Sequence, residues 1–156
     1  MPVAAHLPEI ETRSLEGERL LIPRDLEGRR NLLAIAFHRT QQKAVDTWVA
    51  DFSRLERSDS TLVAYEIPVI SRRWGPLRSF IDGGMTAAIP DPDIRAHTLT
   101  AYTDVGRVID ALGVEDTERI VVVVADRDGA IEWLHRGERT DAAVASLELA
   151  LGLAGS

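Results

Sequence analysis

The sequence predicts an α/β fold in which a central mixed sheet carries helices on both faces and an N-terminal hairpin precedes the first core strand. An almost continuous apolar run at residues 31–37 is followed by an amphipathic segment and then by the β-rich run 61–70. Strand, helix and strand in this order give a parallel pair with a right-handed crossover. Another apolar run, at 120–125, leads into an Asp-Gly turn that favours an antiparallel hairpin.

The first elements are that N-terminal hairpin and a turn. Gly17, in the sequence Leu-Glu-Gly-Glu, supplies the positive φ of a tight turn, and residues 20–22 form the returning strand. Pro23 breaks this strand and Gly28 ends the turn, after which the central strand at 31–37 begins.

A long helix is predicted over residues 41–57, followed by the strand at 61–70 with Pro68 near its end, because proline cannot donate to a strand ladder. The apolar positions that recur at helical spacing are Ala44, Val45, Trp48, Val49, Phe52 and Leu55. Residues 74–81 then predict a short helix that Gly83 and Gly84 end as a C-terminal cap.

Pro90 and Pro92 mark an irregular loop before the C-terminal half. The elements expected there are a strand at 97–103, a helix at 105–112 capped by Asp104 and ended by Gly113, a strand at 120–125, a turn at 126–129 with two residues of positive φ, a strand at 130–135 and a last helix that begins at Thr140.

Length and charge limit the classes of function. A chain of 156 residues fits one domain, so residues 1–156 are expected to form a single domain. No apolar run approaches the ~20 residues of a membrane span, and the first ten residues lack a signal-peptide pattern, which favours a cytoplasmic protein. A formal net charge of −7 disfavours nucleic acid as a partner, because phosphate binding needs clustered basic residues.

The chain contains no cysteine and a single lysine, Lys43. Since a thiolate is the nucleophile in disulfide exchange and in thiol peroxidase reactions, this chain is excluded from both activities. The four histidines are scattered, and the sequence has no G-x-S-x-G, P-loop or G-x-G-x-x-G motif. We therefore expect no metal site and no cofactor.

The order of elements resembles the thioredoxin fold, and the opening LPEIETRSLEGERLLIPRDLEGRRNLLAIAF is similar to the entry of redoxin and peroxiredoxin-type domains. Within that superfamily, FHRTQQKAVDTW, IPDPDIRAHTLTAY and VVVVADRDGAIEWLHRG look most like the mitochondrial ATP-synthase assembly-factor family, whose members are thioredoxin-like folding or assembly helpers. The residues that carry this match are Arg95, Thr98, Tyr102, Asp126, Gly129, Trp133 and Gly137.

Two departures from the superfamily concern its chemistry. The redox motif of thioredoxins would begin at the loop after the central strand, where this chain reads His-Arg-Thr-Gln. The cis-proline that thioredoxins carry just before the strand at 120–125 is also missing, since Pro92 is the last proline. The resemblance therefore implies a binding or assembly role without the redox site.

One candidate site is the loop formed by His38, Arg39, Thr40 and Gln41, at the carboxyl end of the central strand and the start of a helix. Free N–H groups and the helix dipole favour an anion there, so one hypothesis is a small-anion or carboxylate pocket in an enzyme or sensor that uses His38 near neutral pH. The other is that Thr40 merely caps the helix while His38 and Arg39 are solvated.

A second candidate is the basic aromatic turn Arg72, Arg73 and Trp74, which follows the strand at 61–70. Stacking on a phosphate or nucleotide is conceivable, but in an acidic protein such a turn more often contacts another protein. We therefore favour a redox-inactive protein-binding or assembly module, with a protein partner or a homodimer, over an enzyme or sensor built on residues 38–41.

Overall fold

The computed structural model describes residues 5–152, in which seven strands form one mixed sheet of order β2-β1-β5-β4-β3-β6-β7. The strands are β1 (Ile10–Ser14), β2 (Arg19–Ile22), β3 (Arg30–Ala36), β4 (Leu62–Ser71), β5 (Leu99–Thr103), β6 (Val121–Ala125) and β7 (Ile131–Arg136). The helices are α1 (Gln42–Asp46), α2 (Val49–Ser58), α3 (Arg78–Ala88), α4 (Pro92–Ala96), α5 (Val105–Leu112) and α6 (Asp141–Ala150). This arrangement confirms the predicted α/β class.

The central strand β3 pairs in parallel with β4 and antiparallel with β6. On one face of the sheet, Leu33 and Ile35 pack in a cluster that includes Val108 of α5. On the other face, Leu32 packs in a cluster that includes Trp48 beside α2 and residues of α6. Helices thus cover both faces, which explains why residues 31–37 are apolar without alternation.

The N-terminal hairpin is confirmed, with β1 and β2 antiparallel and Gly17 at a φ of 91°. The predicted caps of the C-terminal half are confirmed as well. Asp104 accepts a hydrogen bond from the Arg107 N–H, Thr140 accepts one from the Ala143 N–H, and Gly113 ends α5 at a φ of 72°.

The helix predicted over 41–57 is interrupted, so that prediction is wrong in part. A 3-10 turn at Arg39–Gln41 leads into α1, and α2 begins only at Val49. At the interruption, the Thr47 hydroxyl donates to the Ala44 carbonyl at 2.6 Å, a local bond that competes with the helix ladder. Val49, predicted on the apolar face, is therefore turned outward and is 45% exposed.

Gly83 and Gly84 do not end a helix, contrary to the prediction. Helix α3 runs through both of them, and neither has the positive φ that a C-terminal glycine cap requires. Pro92, which was predicted to lie in a loop, instead begins α4, where Asp91 accepts from the Asp93 N–H at 2.8 Å. Proline suits this first helical position, because its missing N–H has no partner there anyway.

The turn between β6 and β7 also differs from the prediction, because only Gly129 has a positive φ. The Asp126 carboxylate instead accepts from the N–H groups of Asp128 and Ala130, and the strand register shifts at Ala125. In the part of the chain that the structure describes, no helix is long and apolar enough to cross a membrane.

Candidate functional site

The strand-to-helix junction places His38, Arg39 and Thr40 on the surface, whereas Gln41 is buried. The helix that follows, α1, has only five residues. Thr40 is not the N-cap of either segment, since His38 precedes the 3-10 turn and Gln41 precedes α1. The prediction that Thr40 caps the helix is therefore wrong.

Gln41 ties this junction to a distant loop. Its Oε1 accepts from the N–H groups of Phe37 (2.8 Å) and His38 (3.2 Å), while its Nε2 donates to the Thr117 carbonyl at 2.7 Å. The His38 Nε2 lies 3.0 Å from the Thr117 hydroxyl. The N–H of the N-cap residue His38, one of the donors that an anion at this terminus would use, is thus already bonded to a side chain. Thr117 was not predicted, and no spacing rule in the sequence links positions 41 and 117.

Arg72, Arg73 and Trp74 lie in a 3-10 segment, Arg72–Leu77, that joins β4 to α3, and all three are exposed. The Arg73 guanidinium carbon is 5.2 Å from the centroid of the Trp74 ring. Arg72 is 3.8 Å from the exposed carboxylate of Asp104. Because β3 and β4 are parallel neighbours, this segment and the loop at 38–41 lie at the same edge of the sheet.

Helix α3, which follows, turns its charged residues toward the sheet. The Arg78 Nη2 donates to the Thr100 carbonyl at 3.2 Å, and Asp82 accepts from the Thr100 hydroxyl (3.0 Å) and from the Tyr102 hydroxyl (2.8 Å). The Arg78 guanidinium also lies over the Tyr102 ring, 4.6 Å from its centroid. Burial and the neighbouring Asp82 raise the pKa of Tyr102 above its ordinary value, so its hydroxyl remains a donor.

The opposite side of this helix is apolar and exposed. Phe80 is 84% exposed and the N-cap residue Leu77 is 49% exposed. We define the outer face of α3 as the exposed residues Leu77, Phe80, Gly83, Gly84 and Ala87. A surface helix ordinarily buries its apolar stripe and exposes its charges, and α3 does the reverse. Phe80 was not predicted as a site residue, because an apolar side chain at helical spacing is typical of a core position.

An apolar groove of about 760 Å³ lies beside the C-terminal end of α3. Its walls are α1 and α2 on one side and residues 88–94 on the other, with residues 64–66 of β4 on the floor. We call it the α2–α4 groove. Its lining includes two exposed apolar side chains, Val49 and Ile94, and none of the described residues that line it is Arg or Lys.

The charged groups of the α2–α4 groove are carboxylates. Burial raises the pKa of Glu66, and the negative charge of Asp46 raises it further. A hydrogen bond from Gln42 lowers this pKa and offsets part of the rise. Glu56 accepts from the N–H of Ala64 at 3.0 Å, near the start of β4, where β4 is not yet paired with β5. No group of three or more potential ligand side chains able to hold a metal ion occurs within residues 5–152.

Comparison with known proteins gives structural relatives only. No protein-family model matches the sequence, and no curated protein is significantly similar to it. Among solved structures, a candidate electron transfer protein from Aquifex aeolicus VF5 superposes with a TM-score of 0.67 and 16% identity over 97% of this chain and 99% of that chain.

Two further similar structures are those of a thiol:disulfide interchange protein and of a thioredoxin. A thiol:disulfide interchange protein from Bacteroides sp. gives a TM-score of 0.60 and 14% identity over 100% of this chain and 94% of that chain. The exposed lipoprotein thioredoxin of Streptococcus pneumoniae strain TIGR4 gives a TM-score of 0.59 and 14% identity over 94% of this chain and 100% of that chain. The present chain therefore has the thioredoxin-like fold, and it carries that fold without a cysteine.

Proposed function

We propose that this chain is a redox-inactive protein-binding module of assembly or chaperone type, and that it binds through the outer face of α3 together with Arg72, Arg73 and Trp74. The observation that carries the proposal is the reversed polarity of α3, with Phe80 in solvent and Asp82 bonded to the sheet. Exposed apolar surface of this kind marks interaction sites. The cytoplasmic location expected from the sequence is part of the same proposal.

The composition of this surface suits a protein interface. Aromatic residues and Arg dominate the binding energy of such interfaces, and Trp74 (43% exposed) and Phe80 supply the aromatic area here. Arg72 and Arg73 flank that area, where charges steer association and reject wrong partners more than they add affinity. Asp82 and Arg78 hold α3 to β5, so its outer face is presented on a fixed helix.

The alternative, an anion- or carboxylate-binding enzyme or sensor at residues 38–41, receives less support from the geometry, because Gln41 already bonds the N–H of the N-cap residue His38 and α1 has only five residues. A thermal-shift screen with phosphate, sulfate and carboxylates tests it directly. Stabilisation that disappears in the His38→Ala/Arg39→Ala variant would favour the alternative, whereas equal shifts in both proteins would remove it.

The binding proposal is tested by site-specific photo-crosslinking in native extract. A photoreactive residue at position 80 is compared with one at Leu149, another exposed large apolar side chain, which lies on α6. We expect discrete protein adducts from position 80 that are lost when Trp74 is also changed to Asp. If position 80 gives no more adducts than position 149, the outer face of α3 is not the binding surface.

A further inference from the structure

We infer that the outer face of α3 binds a second copy of this chain, through a two-fold symmetric interface in which the two α3 helices pack antiparallel. This inference rests on the proposed function and names its partner. In such an interface both copies use the same surface. If residue i of one copy contacts residue j of the other, then residue j of the first copy also contacts residue i of the second.

The shape of α3 is complementary to itself. Gly83 and Gly84 lie at the middle of the helix, and a Cβ atom added to either would meet nothing within 4 Å in the single copy. A two-fold axis between them places Phe80 opposite Ala87 of the partner copy and Leu77 opposite Pro90. The glycines allow two backbones to approach closely, while the large ring of Phe80 lies over a small residue.

The contact extends beyond the helix pair. A helix of 11 residues is only about 16 Å long, and a stable interface needs roughly 1,000 Å² or more of buried surface. In the antiparallel arrangement, Trp74 of one copy reaches the end of the other's α3, where Ile94 and Val49 rim the α2–α4 groove. Five of the six exposed large apolar side chains of the described chain are then covered, and only Leu149 lies elsewhere.

The charges favour the same orientation. Arg72 and Arg73 precede α3, whereas Asp91 and Asp93 follow it. The α2–α4 groove adds further carboxylates at that acidic end, among them Asp46. Antiparallel packing brings the basic end of each copy to the acidic end of the other, but parallel packing would bring like charges together. The charges at the two ends of α3 therefore match those of a second copy of this chain.

Sedimentation equilibrium of the full chain tests this arrangement with three variants. Gly84→Leu adds a side chain whose Cβ meets nothing within 4 Å in the single copy, and it improves helix propensity, yet it blocks close approach of two helices. We expect Gly84→Leu and Phe80→Asp each to weaken dimerisation by roughly tenfold or more. Leu149→Asp makes the matched change at an exposed position outside the interface and should leave the dimer unchanged.

A charge exchange tests the orientation. Arg73→Glu and Asp93→Arg should each weaken self-association, because each places like charges at both ends of the symmetric interface. Mixing the two variants should restore a heterodimer, since unlike charges then meet at both ends. Failure of the mixture to associate more tightly than either variant alone would contradict antiparallel packing.

The outcomes separate this inference from the proposed function. A wild-type chain that is monomeric at all concentrations, while position 80 still crosslinks other proteins, overturns the second copy as partner and retains the binding surface. A dimer that survives both Gly84→Leu and Phe80→Asp overturns this interface. Absence of any crosslink from position 80 overturns the proposed function itself.

Discussion

Gln41 is the residue on which the junction between β3 and α1 depends. Its buried amide makes three hydrogen bonds, to the N–H groups of Phe37 and His38 and to the Thr117 carbonyl. Each hydrogen bond contributes about 1 kcal/mol net, and buried groups left unpaired add a desolvation cost. The residue is thus a structural tie in the loop where the redox motif of thioredoxins would begin.

We expect Gln41→Ala to lower the free energy of unfolding by about 2–4 kcal/mol in urea denaturation, because it removes all three bonds. Thr40→Ala, at the exposed neighbouring position, is the control and should change it by less than about 0.5 kcal/mol. A neutral effect of Gln41→Ala would show that water replaces the amide and that the tie is not structural.

Glu66 gives a prediction on pH. Burial and the charge of Asp46 raise its pKa above the ordinary 4.5, so the folded chain holds this proton more tightly than the unfolded chain does. Stability is therefore lost as pH rises from that ordinary value through the raised one. Glu66→Gln stays uncharged, and we expect it to be more stable than wild type at neutral pH, with the difference vanishing below about pH 4.5.

Urea titrations of both proteins across this pH range measure the Glu66 effect. Asp46→Asn is the companion variant, because removing the neighbouring negative charge should relieve part of the same cost. A stability gain in Glu66→Gln that is independent of pH would indicate altered packing rather than a titrating carboxyl group.

At the scale of elements, α3 is attached to the sheet by polar contacts rather than by a buried apolar stripe. Asp82 accepts from Thr100 and Tyr102 and lies 3.6 Å from the Arg78 Nε. Removing Asp82 leaves the half-buried Arg78 without its counter-charge, a change that costs more than the loss of a single hydrogen bond.

We therefore expect Asp82→Ala to destabilise the fold by about 2–4 kcal/mol and Tyr102→Phe by about 1 kcal/mol. Hydrogen exchange should show that Asp82→Ala increases the exchange of α3 amides more than those of β3. Equal protection of α3 in the variant and the wild type would mean that other contacts hold the helix.

The elements that the sequence predicted correctly are those with a local cause. Asp104, Gly113 and Thr140 cap helices through contacts within a few residues, so their positions could be derived from residue type alone. Gly83 and Gly84 could not, because their helix continues through polar contacts with Thr100 and Tyr102, far along the chain. Propensity is a weak prior where tertiary contacts decide.

The candidate sites show the same difference between features with a local cause and features that depend on distant contacts. The sequence placed Arg72, Arg73 and Trp74 correctly in an exposed turn, because a strand had just ended there. It did not indicate that Phe80 points into solvent, since the helical pattern is the same whichever face is buried. The direction depends on Arg78 and Asp82 finding partners on β5, which no local pattern shows.

For the whole molecule, both apolar clusters share the strands of one sheet, so they should be lost together. Trp48 is fully buried and its ring centroid lies 6.1 Å from that of Trp133, whereas Trp74 is on the surface. Two tryptophans thus report on the folded core, and the third reports on the outer surface.

We expect the unfolding curve of the Trp74→Phe variant, followed by fluorescence, to coincide with its far-UV circular dichroism curve. In the dimer that we propose, the fluorescence of Trp74 should change before that of the core, because the two copies would separate before each chain unfolds. Distinct fluorescence and dichroism transitions in Trp74→Phe would contradict a single cooperative core.

The Gln41 tie also determines how the molecule responds to its surroundings. An amide bridge from the end of β3 to the Thr117 loop has no oxidised and reduced forms, unlike a pair of thiols at that position. The redox potential of the surrounding solution therefore does not change the conformation of this junction. Reducing and oxidising buffers should therefore give the same melting temperature, so that the fold of this chain is equally stable in a reducing and in an oxidising environment.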